Sequence, residues 1–358
     1  MLKLSGSRLT KINITTQNRC GVTLKAFLCA CWLFLLMGCS PSVEQQHLSG
    51  PTMGTRFNIK YVTNELAPDA EQVQSEIGAI LQQVNDQMST YLPESELSRF
   101  NRFQSNTPFG ISPDTATVLA EAIRLHSLTL GKLDVTVGPL VNLWGFGPNG
   151  RPNKIPSEQA LQQGKQRVGI QHLKLDGLFV TKDMANLYVD LSTLAKGFAA
   201  DKVAKYLEDN HIDNYMVEIG GEIKVKGHRL DNTKWRIALE KPIAEQRLVQ
   251  HVISPGEMAI ATSGDYRNYF EQEGRRYSHI IDPDTGKPID NRVVSVTVIH
   301  SSCMTADGLA TGLMVLGDKK GMQVAEQNQI AVLMIVKTDE GFKELVSERF
   351  HPYLKQQE

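Results

Sequence analysis

The sequence predicts an α+β protein: a mixed α/β single domain, with room for two lobes, behind an export signal. Two observations carry the class. Strand-like alternation and helix-like apolar periodicity interleave along the chain, which suits a mixed sheet covered by helices. No internal repeat is visible, and no Pro/Gly/Ser-rich linker follows residue 50. Bulk composition agrees. Of 358 residues, 41% are hydrophobic and 22% charged, enough for a core without disulfides or structural metals.

The N-terminus reads as targeting sequence. The first 43 residues contain no acid but carry Lys3, Arg8, Lys11, Arg19 and Lys25. An apolar run from Ala26 to Met37 follows, shorter than the ~20 residues a spanning helix needs. Leu36-Met37-Gly38-Cys39 then resembles a bacterial lipobox, with Cys39 lipidated as the new N-terminus. An uncleaved N-terminal anchor is the alternative, and either way the body is exported. Ser40 in the second position resembles outer-membrane sorting. The expected organisation is therefore a signal peptide over 1–38, a lipidated flexible tether over 39–50 and a folded domain over 51–358. Losing 1–38 removes five of the 38 basic residues and none of the 39 acidic ones, leaving a formal charge of −6. No Lys/Arg block stands in the body, so a general nucleic-acid binder is excluded. Cys20, Cys29 and Cys31 leave with the signal and Cys39 takes the lipid. Cys303 is then alone, so an internal disulfide and a cysteine-rich metal site are both excluded. A small buried apolar role suits it.

The elements follow in order. Thr52–Val62 alternates like a strand, with Gly54 inside it. Asp69–Met88 is helical, with Val73, Ile77, Ile80, Leu81, Val84 and Met88 on one face. Ser95–Phe103 predicts a short helix and Pro113–Leu130 a longer one. Leu133–Gly147 has turn and strand character, and Pro156–Arg167 is helical by pattern. Leu173–Asp190 predicts two strands, the second at Leu187–Asp190. Thr193–Asp209 is a helix and Tyr215–Ile219 a strand that stops at Gly220-Gly221. Strands and turns continue to about residue 300. A helix around Asp307, a second near Lys319–Gln327 and a strand over Ile330–Val336 complete the chain.

Four stretches offer chemistry. In Met304–Gly312, Leu309, Leu313 and Leu316 make an apolar face while Asp307 and Thr311 share the opposite one. Thr305 is a plausible N-cap, placing Asp307 in the first turn. A carboxylate and a hydroxyl there are hard ligands of the kind Mg²⁺ or Ca²⁺ uses, and the helix start suits a phosphate. The alternative is that Asp307 only stabilises its own helix. In Asp190–Phe198, Ser192 or Thr193 caps a helix, and Lys196 lies where the dipole disfavours a cation unless an anion shares the site. Gly197 beside it permits close approach of a ligand. His279 stands just before the Asp282-Pro283-Asp284-Thr285-Gly286 turn, placed for proton transfer or for a structural hydrogen bond. Leu133–Pro139 with Trp144–Gly147 offers backbone groups, a carboxylate and aromatic surface. No Gly-x-Gly-x-x-Gly, Walker loop, His-Glu-x-x-His or Gly-x-Ser-x-Gly is present.

Seven pieces, in order, resemble the ApbE family of flavin transferases, the FAD:protein FMN transferases. They are Met53-Gly54-Thr55, Ser89-Thr90-Tyr91, Asp134 through Pro139, Asp190-Leu191-Ser192 through Lys196-Gly197, Glu218 through Glu222, Ser278 through Pro283, and Thr305-Ala306-Asp307 through Thr311. The resemblance spans Thr52 to Gly317 and extends to the lipoprotein leader. It implies a single catalytic domain of the ApbE type, FAD as substrate and a divalent ion, usually Mg²⁺. The metal would be held by Asp307, Thr311 and the backbone carbonyl of Thr193. FAD would be contacted by Met53, Tyr91, Leu133, Asp134, Val135, Asp190, Lys196 and Ile281, and His279 would be the base. Leu133 stands where many relatives have Phe. The implied reaction moves FMN from FAD to a Ser or Thr hydroxyl of a partner protein and releases AMP. The implied partners are subunits of the Na⁺-pumping NADH:quinone reductase or of Rnf-type complexes, met on the periplasmic side of a membrane. A metal-dependent FAD pyrophosphatase and a flavin-storing lipoprotein are the competing expectations. Asp307–Met314 looks like a family acceptor motif but lacks its final hydroxyl, so it reads as metal site.

Overall fold

The computed structural model describes residues 43–148, 155–242, 248–265, 269–272 and 275–355. The expected signal peptide and Cys39 lie outside them. One eight-stranded antiparallel sheet dominates, and its strands follow one another in space as in sequence. They are β1 (Gln45–Thr52), β2 (Thr55–Val62), β3 (Tyr215–Ile219), β4 (Glu222–Lys226), β5 (Ala259–Gly264), β6 (Val293–His300), β7 (Ala331–Thr338) and β8 (Gly341–Val346). Helices α1 (Ala70–Met88), α2 (Glu96–Arg102), α3 (Pro113–Leu128), α4 (Gly138–Leu143), α5 (Glu158–Lys165), α6 (Ser192–Asp209), α7 (Cys303–Gln327) and α8 (His351–Leu354) fill the connections. The mixed α/β expectation therefore holds.

The two faces of the sheet are covered differently. On one, α1, α3, α6 and α7 bury the main core with Ile59, Val217, Val296 and Val298. On the other, Ile260, Ile299 and Leu333 pack against Trp235, Ile237, Ile253 and Phe350. A third, smaller cluster unites Leu140, Trp144, Leu161, Phe270 and Ile281 away from both. Among the described residues no helix is long and apolar enough to cross a membrane.

The long periodic elements form where the sequence places them. The side chain of Asp69 caps α1 by accepting from Gln72 N, and Val73, Ile77, Leu81, Val84 and Met88 are buried. Ser95, Ser112 and Ser157 cap α2, α3 and α5 in the same way. Four local expectations are corrected. The tether reading fails from Gln45 onward, because that stretch pairs along its whole length with β2. The single strand over Thr52–Val62 is the end of one strand and the whole of the next. Met53 (φ 47°) and Gly54 (φ 69°) form a two-residue turn between Thr52 and Thr55. Left-handed geometry suits Gly54 but costs a methionine on the order of 1 kcal/mol. Residues 138–143 form α4 rather than a strand, since Pro139 fits the first turn of a helix. The partner of Leu173–Asp176 is Phe179–Lys182, so Leu187–Asp190 lies outside any sheet. The helices around Asp307 and Lys319 abut at Gly317 (φ 79°), where the helical geometry of α7 breaks.

Lys182 holds the segment that leads into α6. Its ammonium is almost wholly buried and donates to the carbonyls of Phe100, Asn101 and Leu187. Asn101 also exchanges two hydrogen bonds with the Val189 backbone. Asp190 is thus anchored from two sides. Burial lowers the Lys182 pKa from 10.5 to about 8. Between those values the unfolded chain holds a proton that the folded chain has released, so stability attributable to Lys182 rises with pH. Thermal melts compared at pH 7, 8, 9 and 10 should show this rise in the wild type relative to Lys182→Met. Parallel curves for the two proteins would contradict it.

Candidate active site

Two helices meet at the centre of the site. Gly197, in the second turn of α6, lies against the start of α7 so closely that a Cβ there would come 2.4 Å from the Cys303 carbonyl oxygen. Sequence reasoning reserved that space for a ligand; the backbone of α7 fills it. The crossing brings Lys196 within 3.4 Å of Asp307 Oδ2, and the Gly197 N–H donates to the same oxygen at 3.2 Å. On the other side, Glu222 Oε2 lies 2.9 Å from Lys196 Nζ. Glu222 and Asp307 are 4% exposed, so two buried carboxylates face one half-buried ammonium. Burial alone would lower the Lys196 pKa, but Asp307 and Glu222 outweigh it and raise it. Burial raises the pKa of both carboxylates against the pull of Lys196. Removing one member of a buried pair typically costs about 3–5 kcal/mol, because the other charge loses its counterion.

The α7 start differs from expectation. Ser302, not Thr305, caps it, and Asp307 falls in the second turn. The N–H groups of Cys303 and Met304 both donate to Asp201, which also accepts from Ser302 Oγ. A phosphate therefore does not find this helix end open, because a carboxylate of the chain already sits there. Thr305 Oγ1 instead donates to Glu121 at 2.6 Å. Neither Ser192 nor Thr193 caps α6. Leu191 occupies the cap position without a side-chain bond, and Asp190 Oδ1 accepts from Ser192 N.

The chemistry of the oxygens fits a hard divalent cation. Thr193 Oγ1 is buried with no hydrogen-bond partner. In a regular helix the Gly197 N–H points to the Thr193 carbonyl, and here Asp307 draws on that same N–H. Thr311 Oγ1 lies one turn beyond Asp307 and 3.0 Å from Ser263 Oγ on β5. Among the described residues no three His, Cys, Asp or Glu side chains group as a metal cage. A cation here would therefore use one carboxylate, a hydroxyl and a carbonyl, a set suited to Mg²⁺ rather than to zinc.

The remaining expected residues ring this cluster or stand apart from it. The β3–β4 turn, Gly220-Gly221, comes close to Lys196 and Thr55, since a Cβ on Gly220 would lie 3.1 Å from Lys196 Cδ and 2.8 Å from Thr55 Cγ2. The turn after Met53 is thus brought to the site. Asp190 N donates to the Val135 carbonyl, tying 133–135 to the α6 start. Leu133 is buried against α7, where a Cβ on Gly308 or Gly312 would approach it to 3.3 Å. Asp134 Oδ1 accepts from the N–H and hydroxyl of Thr136. Side chains in 133–135 are thus committed to packing and turn formation. Tyr91 is 66% exposed, and its phenol is raised by partial burial and by Asp190.

Ile281 belongs to the third cluster, and His279 stands beside it. Phe146 meets His279 edge-on at 6.3 Å and leads into a run of rings through Phe270, Tyr277 and Trp144. Lys132 joins the two regions, its ammonium 2.6 Å from Asp282 and 2.8 Å from Asp284. Glu222, Ser263 and Asp201 escaped the sequence reading as site residues. Only Glu222 carried a usable signal, as an acid directly after Gly-Gly.

The sequence profile of the ApbE family matches residues 53–334. The chain belongs to the ApbE family. It is 62% identical over 322 residues to a Vibrio cholerae protein named FAD:protein FMN transferase, covering 90% of this chain and 96% of that one. A Haemophilus influenzae protein of the same name is 50% identical over 314 residues, covering 86% and 91%. Among solved structures, the flavin transferase ApbE from Vibrio cholerae superposes with a TM-score of 0.83 at 61% identity, over 87% of this chain and 100% of that one. The apo flavinyl transferase ApbE of Pseudomonas stutzeri gives 0.81 at 38% identity, over 87% and 97%. This ApbE chain is a transferase enzyme with the ApbE fold.

Gly197→Ala tests the crossing. A methyl group facing the Cys303 carbonyl must push α6 and α7 apart, and overpacking of this kind costs about 1–3 kcal/mol. Urea denaturation should show that loss, together with weaker activity from a displaced Lys196. Wild-type stability would mean that the helices part freely.

Proposed function

We propose that this chain transfers the FMN moiety of FAD to a Ser or Thr hydroxyl of a partner protein, with Mg²⁺ as cofactor. The pairing of half-buried Lys196 with buried Asp307, flanked by Thr193 and Thr311, is the observation that carries the reading. A diphosphate needs positive charge and a hard cation, and this site supplies one and has the oxygens for the other. Asp307, Thr311 and the Thr193 carbonyl would hold Mg²⁺, which supplies charge neutralisation at the phosphate oxygens when bound. Lys196 would pair with the diphosphate as charge moves toward the leaving group. His279 would take the proton from the acceptor hydroxyl. The hydroxyl oxygen then bonds to the FMN phosphorus. The bond from that phosphorus to the bridging oxygen breaks, and AMP departs with the electron pair. Tyr91 would stack on a ring of FAD, and Met53, Leu133, Asp134, Val135, Asp190 and Ile281 would contact the rest of it. The resemblance favours subunits of the Na⁺-pumping NADH:quinone reductase or of Rnf-type complexes as acceptors.

Incubation with FAD, Mg²⁺ and an acceptor domain should give a fluorescent protein band that survives denaturing electrophoresis. Free FMN alone would indicate hydrolysis, and intact FAD would indicate storage; either result sinks the transfer reading. Asp307→Ala should lose Mg²⁺-dependent turnover. His279→Ala should slow transfer by ~10²–10⁴-fold while retaining FAD; loss of FAD binding would recast His279 as a ligand contact.

The lipobox supports a lipid anchor at Cys39 that holds the domain on the periplasmic side. Cys39→Ser should move the protein from the membrane fraction to the soluble one, and continued membrane retention would refute the anchor.

A further inference from the structure

We propose that Glu222 is a positioning residue of the transfer site: it holds the Lys196 ammonium from the sheet side and thereby lets Asp307 accept a divalent cation. The inference rests on the function proposed above and adds a residue to its site.

The geometry around Lys196 is built from both ends. Ile219 and Glu222 form the pair that closes the β3–β4 hairpin, and the turn between them is Gly220-Gly221, with φ of 63° and 106°. Only glycine takes both positions readily, and the result is a tight two-residue turn. A side chain at Gly220 would also lie 3.1 Å from Lys196 Cδ. The turn thus leaves a channel for the lysine stem, and the first residue after it meets the tip at 2.9 Å. Asp307 meets the same tip at the longer distance of 3.4 Å. Lys196 is therefore shared: it hydrogen-bonds both carboxylate oxygens of Asp307 and forms a shorter ion pair with Glu222.

The charges explain why that sharing matters. With Asp307 as sole partner, the ammonium would be its built-in counterion, and a cation arriving at Asp307 would have to displace it. It would then face an uncompensated positive charge in a buried place. Glu222 removes both obstacles. With a second carboxylate on the ammonium, Asp307 is no longer its sole counterion and is free to turn toward a cation. Once Asp307 turns to the metal, Lys196 remains anchored and in place.

Glu222→Gln tests this, since it keeps shape and removes the charge. Mg²⁺ binding to the FAD-free protein, read by titration calorimetry, should weaken about tenfold or more, and the Mg²⁺ concentration for half-maximal transfer should rise in parallel. Maximal rate at saturating Mg²⁺ should fall much less. Glu222→Asp, which keeps the charge, should recover most of the Mg²⁺ affinity. Unchanged Mg²⁺ affinity in Glu222→Gln, or a fall in maximal rate without a shift in the Mg²⁺ midpoint, would overturn the role. Wild-type protein that binds no divalent cation would overturn the proposed function and this inference together, whereas normal wild-type binding with an unaffected variant removes this inference alone.

Discussion

The crossing of α6 over the start of α7 governs the rest of the site. Gly197 lets the two backbones touch, and α7 repeats the device on its other sides. Gly308 makes room for Leu125, Leu133 and Leu194, and Gly312 for Thr129 and Leu133. A helix seated this closely has little freedom to shift, because each neighbour fills the volume a methyl group would take. Asp307 and Thr311 ride on that helix. Their placement relative to Lys196 is therefore set by packing, not by the ion pairs themselves. That order of causes is what makes buried charges tolerable, since their geometry does not have to be stabilised by their own attraction.

Charge is distributed with the same economy. The amide end of α7 is a natural anion site, and Asp201 from α6 occupies it. This fixes α7 to α6 a second time, three to four residues from the Gly197 contact. In the proposed site, the positive charge offered to a diphosphate would therefore come from Lys196, which Glu222 and Asp307 flank.

Much of this was legible in the sequence, and the limits are physical. Periodicity located α1, α3 and α6 to within a few residues, because each buries one apolar face and ends at a side-chain cap or a polar turn. The pairing of Lys196 with an anion was anticipated from its position near a helix start. Which anion it would be was not, since Glu222 lies on a strand 26 positions away and Asp307 on another helix. The β1–β2 turn was read as continuous strand because Met53 is an unusual left-handed residue, and alternation carries on through a two-residue turn without a break in phase. Thr305 is a cap by residue type, yet Ser302 caps α7. The choice between them is made by Glu121 and Asp201, long-range partners that local sequence does not display.

His279 and the Lys196–Asp307 pair are held by different parts of the fold. Lys196 and Asp307 are fixed by helix packing in the main core. His279 stands beside a separate small cluster, where Phe146 meets it edge-to-face at 6.3 Å. The two are joined where Lys132 bridges to Asp282 and Asp284, beside the 133–135 segment that packs on α7. In the proposed reaction, charge neutralisation and proton transfer would therefore fall to different packing units that share one seam. A ligand spanning that seam would contact both, which suits a reaction in which a diphosphate must be held on one side while a foreign hydroxyl is deprotonated on the other.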